Sequence, residues 1–371
     1  MTNGSRMTDG GQRDLCYDVC MTAPSFYVMT MPGLETLAFS EVRARVPDAE
    51  LVKFARGIAI FSTAARPGNL MELRTVEDVF VTLARITGLG HGRDALRVLH
   101  SATLNADIDG ALVIWRRVHK VAKPRTWRVI SQKSGSHDFR RLDTSEAVSD
   151  ALRRVLPRSI RHVLDDADLE FWLWMSGSEA LVGLRLSDAT MRHRTYKREH
   201  LPASLRPTVA AAMGWVSRPV QEDIVLDPLC GAGTVLIERA LLAPLKEALG
   251  GDIRAEAVEM ARRNAHSAGI EASWRVWDAR SLPLEVASVT RVITNLPFGK
   301  QIGTHQDNTD LYSKLIGEFG RVLGADGVLV TLTSADRLWD SLLRERYWQV
   351  IKKVVLVVLG QPASIFVAEQ A

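Results

Sequence analysis

The chain has 371 residues, 46% hydrophobic and 24% charged, with a net charge of +4, a size for two or three domains and an ordinary globular composition. No apolar run approaches the ~20 residues a bilayer span needs, and no signal-type segment follows the first residues, so a cytoplasmic protein without membrane contact is expected. Three cysteines, Cys16, Cys20 and Cys230, are too few for a disulfide framework, and Cys16 and Cys20 lack the second Cys or His pair that a metal site would need.

In chain order, residues 1–22 are rich in small polar residues without periodicity and are expected to form a disordered tail. Residues 23–100 mix strand and helix signals. FYVMTM is broken by Pro32-Gly33, Leu34, Leu37, Ala38 and Val42 follow at helical spacing, and two strands meet about Arg56-Gly57. A small α+β domain of ferredoxin-like type is expected.

Residues 101–188 predict a second unit: a helix over 102–121, a strand over 126–135 and a polar, basic loop over 137–143. A helix capped by Asp143 follows, with Glu146 completing a capping box, and then a hairpin of 169–175 with 180–186. Between Trp115 and Arg161 thirteen Lys or Arg stand against four acids, leaving the rest of the chain net acidic. Segregation of that kind points to a polyanionic partner for this region. Residues 189–217 read as an ordered linker passing into a helix over 208–215, with Tyr196, Lys197 and Arg198 expected as packing residues and contact with substrate as the alternative.

Residues 218–371 are the best marked. A buried strand ends at Asp227, a turn carries Gly231 and Gly233, and a helix opens near Thr234. Leu236 stands where a dinucleotide fingerprint has its third glycine, and an acid before the turn suits a cationic ligand end better than a pyrophosphate. Asp252 follows Gly231 by 21 residues, near the spacing for ribose hydroxyls. Asp278 closes a third strand signal, where it could accept from an adenine amine, and Asn295 closes a fourth. All four fall at the carboxyl ends of strands, the edge at which open α/β sheets bind ligands.

ITNLPFGK, residues 293–300, delivers an amide, a proline turn and an aromatic ring to one spot. A nucleobase amine is a poor nucleophile because its lone pair is delocalised into the ring. The Asn295 side-chain oxygen and the carbonyl of Leu296 or Pro297 can accept both amine hydrogens and localise that pair, while Phe298 stacks on the base.

The 101–188 pattern, with Ser134, Gly135, His137, Phe139, Arg140 and Arg141 in its loop and Val182 to Leu186 in its last strand, resembles a THUMP domain, an RNA-binding module. DPLCGAGT with NLPFGK resembles the THUMP-containing guanosine-N2 RNA methyltransferases, tRNA branch. Ala232 stands where Ser is common and Phe298 where Tyr is common. The resemblance implies a Rossmann-like methyltransferase domain over 218–371 with a seven-stranded, mostly parallel sheet, and S-adenosylmethionine as cofactor. Asp227, Pro228, Cys230, Gly231, Gly233, Thr234, Asp252, Ile253, Asp278, Ala279 and Asn295 would hold that cofactor, with Asn295, Leu296, Pro297 and Phe298 around the target base. It further implies methylation of guanosine N2 in tRNA, gripped by Lys133, His137, Arg140, Arg141, Arg153 and Arg154. Ribosomal RNA as substrate, adenine-N6 methylation and a catalytically silent RNA-binding adaptor are the alternatives. A monomer is expected, with a small activating subunit as a further candidate partner and no metal.

Overall fold

The computed structural model describes residues 16–18, 24–120, 123–199, 204–297, 305–358 and 360–370. The first part contains β1 (Cys16–Asp18), β2 (Ser25–Met29), α1 (Glu35–Arg45), β3 (Glu50–Ala55), β4 (Ile58–Ser62), β5 (Asp78–Thr87), α2 (Asp94–Leu104), α3 (Ile108–His119), β6 (Thr126–Ser134), α4 (Arg141–Val155), β7 (Arg161–His162), β8 (Leu169–Ser176) and β9 (Glu179–Arg185). Its strands form one nine-stranded sheet in the order β3-β4-β2-β5-β9-β8-β6-β7, with β1 also on β5.

β5 is the seam. Val79, Phe80, Val81, Leu83, Ala84 and Ile86 are all buried, the near-continuous apolar run of a strand covered on both faces. Its first half pairs with β2, and most of its length pairs with β9. The segments expected as 23–100 and 101–188 therefore share one sheet and one core, from Phe26 and Val42 to Trp115, Leu152 and Leu173, and α2 runs across residue 100.

Three local expectations change. Cys16–Asp18, expected in the disordered tail, pairs antiparallel with Arg85–Thr87 of β5, where open ladder groups receive it; the other residues of the 1–22 tail lie outside the described residues. The helix expected over 102–121 is two helices, because Asp107 accepts the Gly110 N–H at 2.9 Å and starts a new one. Asp143 is the third residue of α4, not its cap. It reaches back to the Arg140 N–H at 2.8 Å, the reciprocal half of a capping box, and Glu146 pairs with Arg153 at 2.8 Å instead.

The second part begins with α5 (Ala189–His193) and α6 (Pro207–Val216), which opens on a proline whose missing N–H would be unbonded there in any case. It continues through β10 (Ile224–Asp227), α7 (Thr234–Leu242), β11 (Glu247–Asp252), α8 (Ala255–Ala268), β12 (Ser273–Val276), β13 (Val289–Asn295), α9 (His305–Val322), β14 (Leu323–Thr333), α10 (Asp336–Glu345), β15 (Trp348–Val358) and β16 (Gln361–Gln370). The sheet is seven-stranded, in the order β12-β11-β10-β13-β14-β16-β15. It is parallel from β12 to β14, and β16 runs antiparallel to both its neighbours. The chain steps outward from β10 to β12 and returns to β13 on β10's other side, which makes β10 the switch point.

Leu34 and Leu37 of the first part are buried in the same core as Val209, Met213, Leu236, Val354 and Leu356 of the second. Gly33, at φ +100°, lies so close to β15 that a Cβ there would stand 2.1 Å from the Val355 carbonyl oxygen. At the centre of the joint, Glu238 of α7 is fully buried. It accepts two bonds from the Arg74 guanidinium at 2.8 and 3.0 Å, one from Arg194 Nε at 3.1 Å and one from the Tyr196 hydroxyl at 2.8 Å. Tyr196 and Lys197 are thus buried, as packing residues would be, whereas Arg198 is exposed.

Replacing Glu238 by Gln leaves two arginines without their shared counter-charge in a closed site. The expected loss is about 3–5 kcal/mol of unfolding free energy in urea, and an unchanged midpoint would show that the joint does not depend on this carboxylate.

Candidate active site

Adjacent strands lie about 4.8 Å apart, so the order β12-β11-β10-β13 sets the residues that end them in a row. Asp227, Asp252 and Asn295 are the last residues of β10, β11 and β13, and Asp278 lies two residues beyond β12. All four line one cleft of about 590 Å³, together with Ser204 and Leu205 of the linker and Leu311 and Leu315 of α9.

Asp227 is buried to 1% exposure. Its Oδ1 accepts the Thr294 hydroxyl at 2.7 Å and the Leu229 N–H at 3.3 Å. Burial nevertheless dominates and pushes its carboxyl up to about 7, with the nearby Asp252 charge acting in the same direction. Asp252 is tied into the turn it faces. Its Oδ2 accepts the Gly231 N–H at 3.1 Å, and its Oδ1 accepts the Arg254 N–H at 3.0 Å and Arg254 Nε at 3.3 Å. Asp278 is gripped by Arg280, and those side-chain bonds hold its carboxyl below the usual range.

The turn between β10 and α7 uses both glycines in the left-handed region, Gly231 at φ 51° and Gly233 at φ 81°. Gly231 lines the cleft, whereas a Cβ at Gly233 would come within 3.0 Å of Ala261 and Trp274. Close approach at Gly233 is therefore between the turn and the neighbouring α8 and β12. Cys230, Thr234, Ile253 and Ala279 also line the cleft. Burial, reinforced by the charges of Asp227 and Asp252, raises the Cys230 thiol well above its ordinary value, so it stays protonated. Pro228 acts through its carbonyl, which accepts Trp277 Nε1 at 3.1 Å and fastens the turn to the segment leading to Asp278.

At the end of β13, the Asn295 Oδ1 is enclosed and has no hydrogen-bond partner among the described residues. An acceptor left open in a closed site costs about 1–3 kcal/mol, which a ligand donor would recover. Leu296 points the other way. Its side chain is fully buried in the core with Leu226, Tyr312 and Phe319, and its N–H donates to the Leu332 carbonyl at 2.9 Å. Pro297 lines the cleft, and its carbonyl accepts the hydroxyl of the fully buried Tyr312 at 2.7 Å. Phe298 lies outside the described residues.

Thr294, Tyr312, Trp277, Arg254 and Arg280 are the site residues that sequence reasoning missed. Only Arg254 and Arg280 left a local signal there, each two positions after an acid. The cations expected to grip RNA lie in the first part, on β6, on α4 and in the loop between them. Arg140 and Arg153 are paired with Asp143 and with Glu146 and Asp150, while Arg141 donates to the Ser131 carbonyl at 3.4 Å. Lys133 sits 5.5 Å over the Phe139 ring, and His137 Nε2 is 3.0 Å from the Gly177 carbonyl. Arg154 is exposed on α4. Among the described residues no group of three His, Cys, Asp or Glu side chains is placed to hold a metal, and no helix is long and apolar enough to cross a membrane.

Comparison with known proteins agrees with this architecture. Residues 194–361 match the family model described as UPF0020, RMKL-like methyltransferase domain. The human tRNA (guanine(6)-N(2))-methyltransferase THUMP3 is 31% identical over 216 residues, covering 54% of this chain and 42% of the relative, so the chain spans less than half that protein's length. The tRNA (guanine(6)-N2)-methyltransferase of Thermus thermophilus is 27% identical over 290 residues, 76% of this chain and 81% of the relative. The crystal structure of TrmN from Thermus thermophilus superposes with a TM-score of 0.78 at 24% identity, over 94% of this chain and all of that one, and shows the same fold.

The Asp227 carboxyl, raised from 3.8 to about 7 in the fold, contributes stability that is fully present below about pH 4 and is lost as pH rises through about 7. The ligand-free protein should therefore weaken over that window, by on the order of 4 kcal/mol if Asp227 acted alone. Asp227→Asn should flatten the dependence and unfold at a higher temperature than wild type at pH 8, with the gap closing towards pH 5. Parallel melting curves from pH 5 to 8 would refute the assignment.

Proposed function

We propose that this chain, whose residues 194–361 carry an RMKL-like methyltransferase domain, transfers a methyl group from S-adenosylmethionine to the exocyclic N2 amine of a guanosine in tRNA. The observation that carries the proposal is the open Asn295 Oδ1 at the end of β13, beside a proline carbonyl fixed by Tyr312 and next to three acids in a row.

The residues fit the cofactor. Asp227, ionised, would face its cationic methionine end; Asp252 would accept from the ribose hydroxyls; Asp278 would accept from the adenine amine, with Ile253 and Ala279 as apolar walls. When bound, S-adenosylmethionine supplies a methyl group on a positively charged sulfur. The protein's part is then to make a nitrogen nucleophilic. Asn295 Oδ1 and the Pro297 carbonyl accept the two hydrogens of the target amine, hold its lone pair out of conjugation with the ring and aim it along one line. After transfer the nitrogen, now positively charged, gives up one hydrogen as a proton to solvent water, since neither the Asn295 amide nor the Pro297 carbonyl is a base. A carbonyl has two lone pairs, so Pro297 can keep its bond from Tyr312 while accepting from the amine. The Tyr312 hydroxyl has one hydrogen and spends it on Pro297, leaving the Thr333 hydroxyl, 3.2 Å away, to donate to the phenol oxygen.

RNA would be held by the basic surface of β6, α4 and the loop between them, through Lys133, His137, Arg141 and Arg154, with Arg140 and Arg153 partly committed to neighbouring acids. A chain acting alone as a monomer in the cytoplasm completes the proposal. The names of the two tRNA methyltransferases above favour tRNA over ribosomal RNA as substrate.

Tritiated S-adenosylmethionine with unmodified tRNA transcripts, followed by nucleoside analysis, should yield N2-methylguanosine. Label in N6-methyladenosine, or none with either tRNA or ribosomal RNA, would overturn the proposal, and a calorimetric titration without cofactor binding would favour a silent adaptor.

Asn295→Ala should lower kcat about 10²–10³-fold, with S-adenosylhomocysteine affinity within about threefold of wild type by calorimetry. A fully active variant would remove Asn295 from the mechanism. Tyr312→Phe loses one hydrogen bond and should lower kcat about tenfold at unchanged cofactor affinity; an unchanged kcat would show that the Pro297 carbonyl needs no such support.

A further inference from the structure

Two of the three acids in the row carry the same local arrangement, Asp-x-Arg. Asp252 is followed by Ile253 and Arg254, and Asp278 by Ala279 and Arg280. In both cases the arginine two residues on turns back onto the acid, lines the cleft and remains largely exposed, at 59% for the Arg254 side chain and 47% for Arg280.

A carboxylate offers about four lone-pair sites. On Asp278 three N–H groups of Arg280 reach all four: the backbone N–H at 2.9 Å on Oδ1, Nη2 at 2.6 Å on Oδ2, and the single Nε hydrogen shared between both oxygens at 3.0 Å each. On Asp252 three are taken, by the Arg254 N–H and Nε on Oδ1 and by the Gly231 N–H on Oδ2. Among the described residues one site is left for two ribose hydroxyls, and Asp278 keeps no lone pair that Arg280 does not already share for an adenine amine. The backbone donors are built into the turns and cannot leave; the guanidinium groups can.

We propose that binding of the cofactor's nucleoside displaces the Arg254 and Arg280 side chains from Asp252 and Asp278, and that the freed guanidinium groups bind phosphates of the RNA substrate, so that cofactor and RNA bind cooperatively. The inference rests on the functional assignment above. A base can reach Asn295 only if its strand crosses the rim of this cleft, and among the described residues the rim carries the cations Arg254, Arg280 and the exposed Lys314 of α9, whose charge already acts on Asp278. Planar arginine forks suit phosphate oxygens as well as they suit carboxylates. Cofactor arrival thus turns two neutral Asp-Arg pairs at the rim into two outward-facing cations. Linkage makes the effect reciprocal, so RNA must strengthen cofactor binding by the same factor.

The test is filter binding of an unmodified tRNA transcript to the full chain at several salt concentrations, with and without saturating S-adenosylhomocysteine, for wild type and for the double variant Arg254→Gln/Arg280→Gln. Calorimetry of S-adenosylhomocysteine alone accompanies it. In wild type, S-adenosylhomocysteine should tighten tRNA binding about fivefold or more and steepen the salt slope by about one to two. In the double variant both effects should vanish, while S-adenosylhomocysteine alone binds at least as tightly as to wild type, because its competitors are gone. Full coupling in the double variant, or weaker S-adenosylhomocysteine binding to it, overturns the proposal. A wild-type chain that methylates tRNA without coupling overturns this inference alone, whereas one that binds S-adenosylhomocysteine but no tRNA overturns the functional assignment with it.

Discussion

One enclosed carboxylate joins the two halves of this molecule. Glu238 sits on α7, the helix that follows the cofactor-site turn, yet its partners come from a loop of the first part and from the linker. Each partner is itself held. The Arg74 and Thr75 N–H groups donate to the buried Glu41, and Arg194 Nη2 donates to the Arg74 carbonyl at 2.7 Å. Burial raises the Tyr196 phenol far above its ordinary value, so its hydroxyl remains a donor. A charge closed off from water is tolerable only when its environment supplies this full complement of donors. Two acids of α1 and α7, themselves far apart in sequence, therefore set how the basic surface stands relative to the cleft.

The cleft follows the opposite logic. Its acids are incompletely satisfied by protein, and each shortfall has a direction. Among the described residues the donors to Asp227 reach Oδ1, and burial pushes its carboxyl up to about 7; Asn295 Oδ1 has no partner among them; Asp252 and Asp278 complete their fixed backbone bonds with exposed arginine side chains. The structural joint is closed and the ligand-facing row is open. The same kinds of group, carboxylate and amide, thus stabilise in one place and recognise in the other, according to whether their partners are built in.

Much of the row was legible in the sequence because strand ends are local features. An apolar run and then an acid repeats three times, twice just ahead of a helix start, and ITNLP closes a fourth run. What was illegible depends on long-range contact. Thr294 reaches Asp227 across 67 residues and Tyr312 reaches Pro297 across 15, and neither has a motif of its own. The carbonyl of Leu296 or Pro297 was expected as the second acceptor; the Leu296 side chain, just past β13, lies in the core, whereas Pro297 lines the cleft. Gly233 was expected among the residues that hold the cofactor, and nothing in the sequence signals that a Cβ there would meet Ala261 and Trp274 of other elements. The division at residue 100 followed a change in pattern, yet β5 and β9 pair across it, and strand partners cannot be read from the patterns of single strands.

On the proposed function, the rigid joint also bears on selectivity. Asn295 and Pro297 present two acceptors, and the exocyclic amines of guanine and adenine each present two hydrogens, so the catalytic pair alone cannot tell the bases apart. Nor can a phosphate-gripping surface read a sequence. Discrimination then has to arise from distance: a surface that holds one part of a folded RNA, joined immovably to a cleft, admits only the nucleotide that lies at the matching separation. Glu238, Arg74 and Arg194 touch neither base nor cofactor in this arrangement, yet they fix that separation. A mutation loosening them would broaden the set of nucleotides that reach Asn295 before it affected methyl transfer itself.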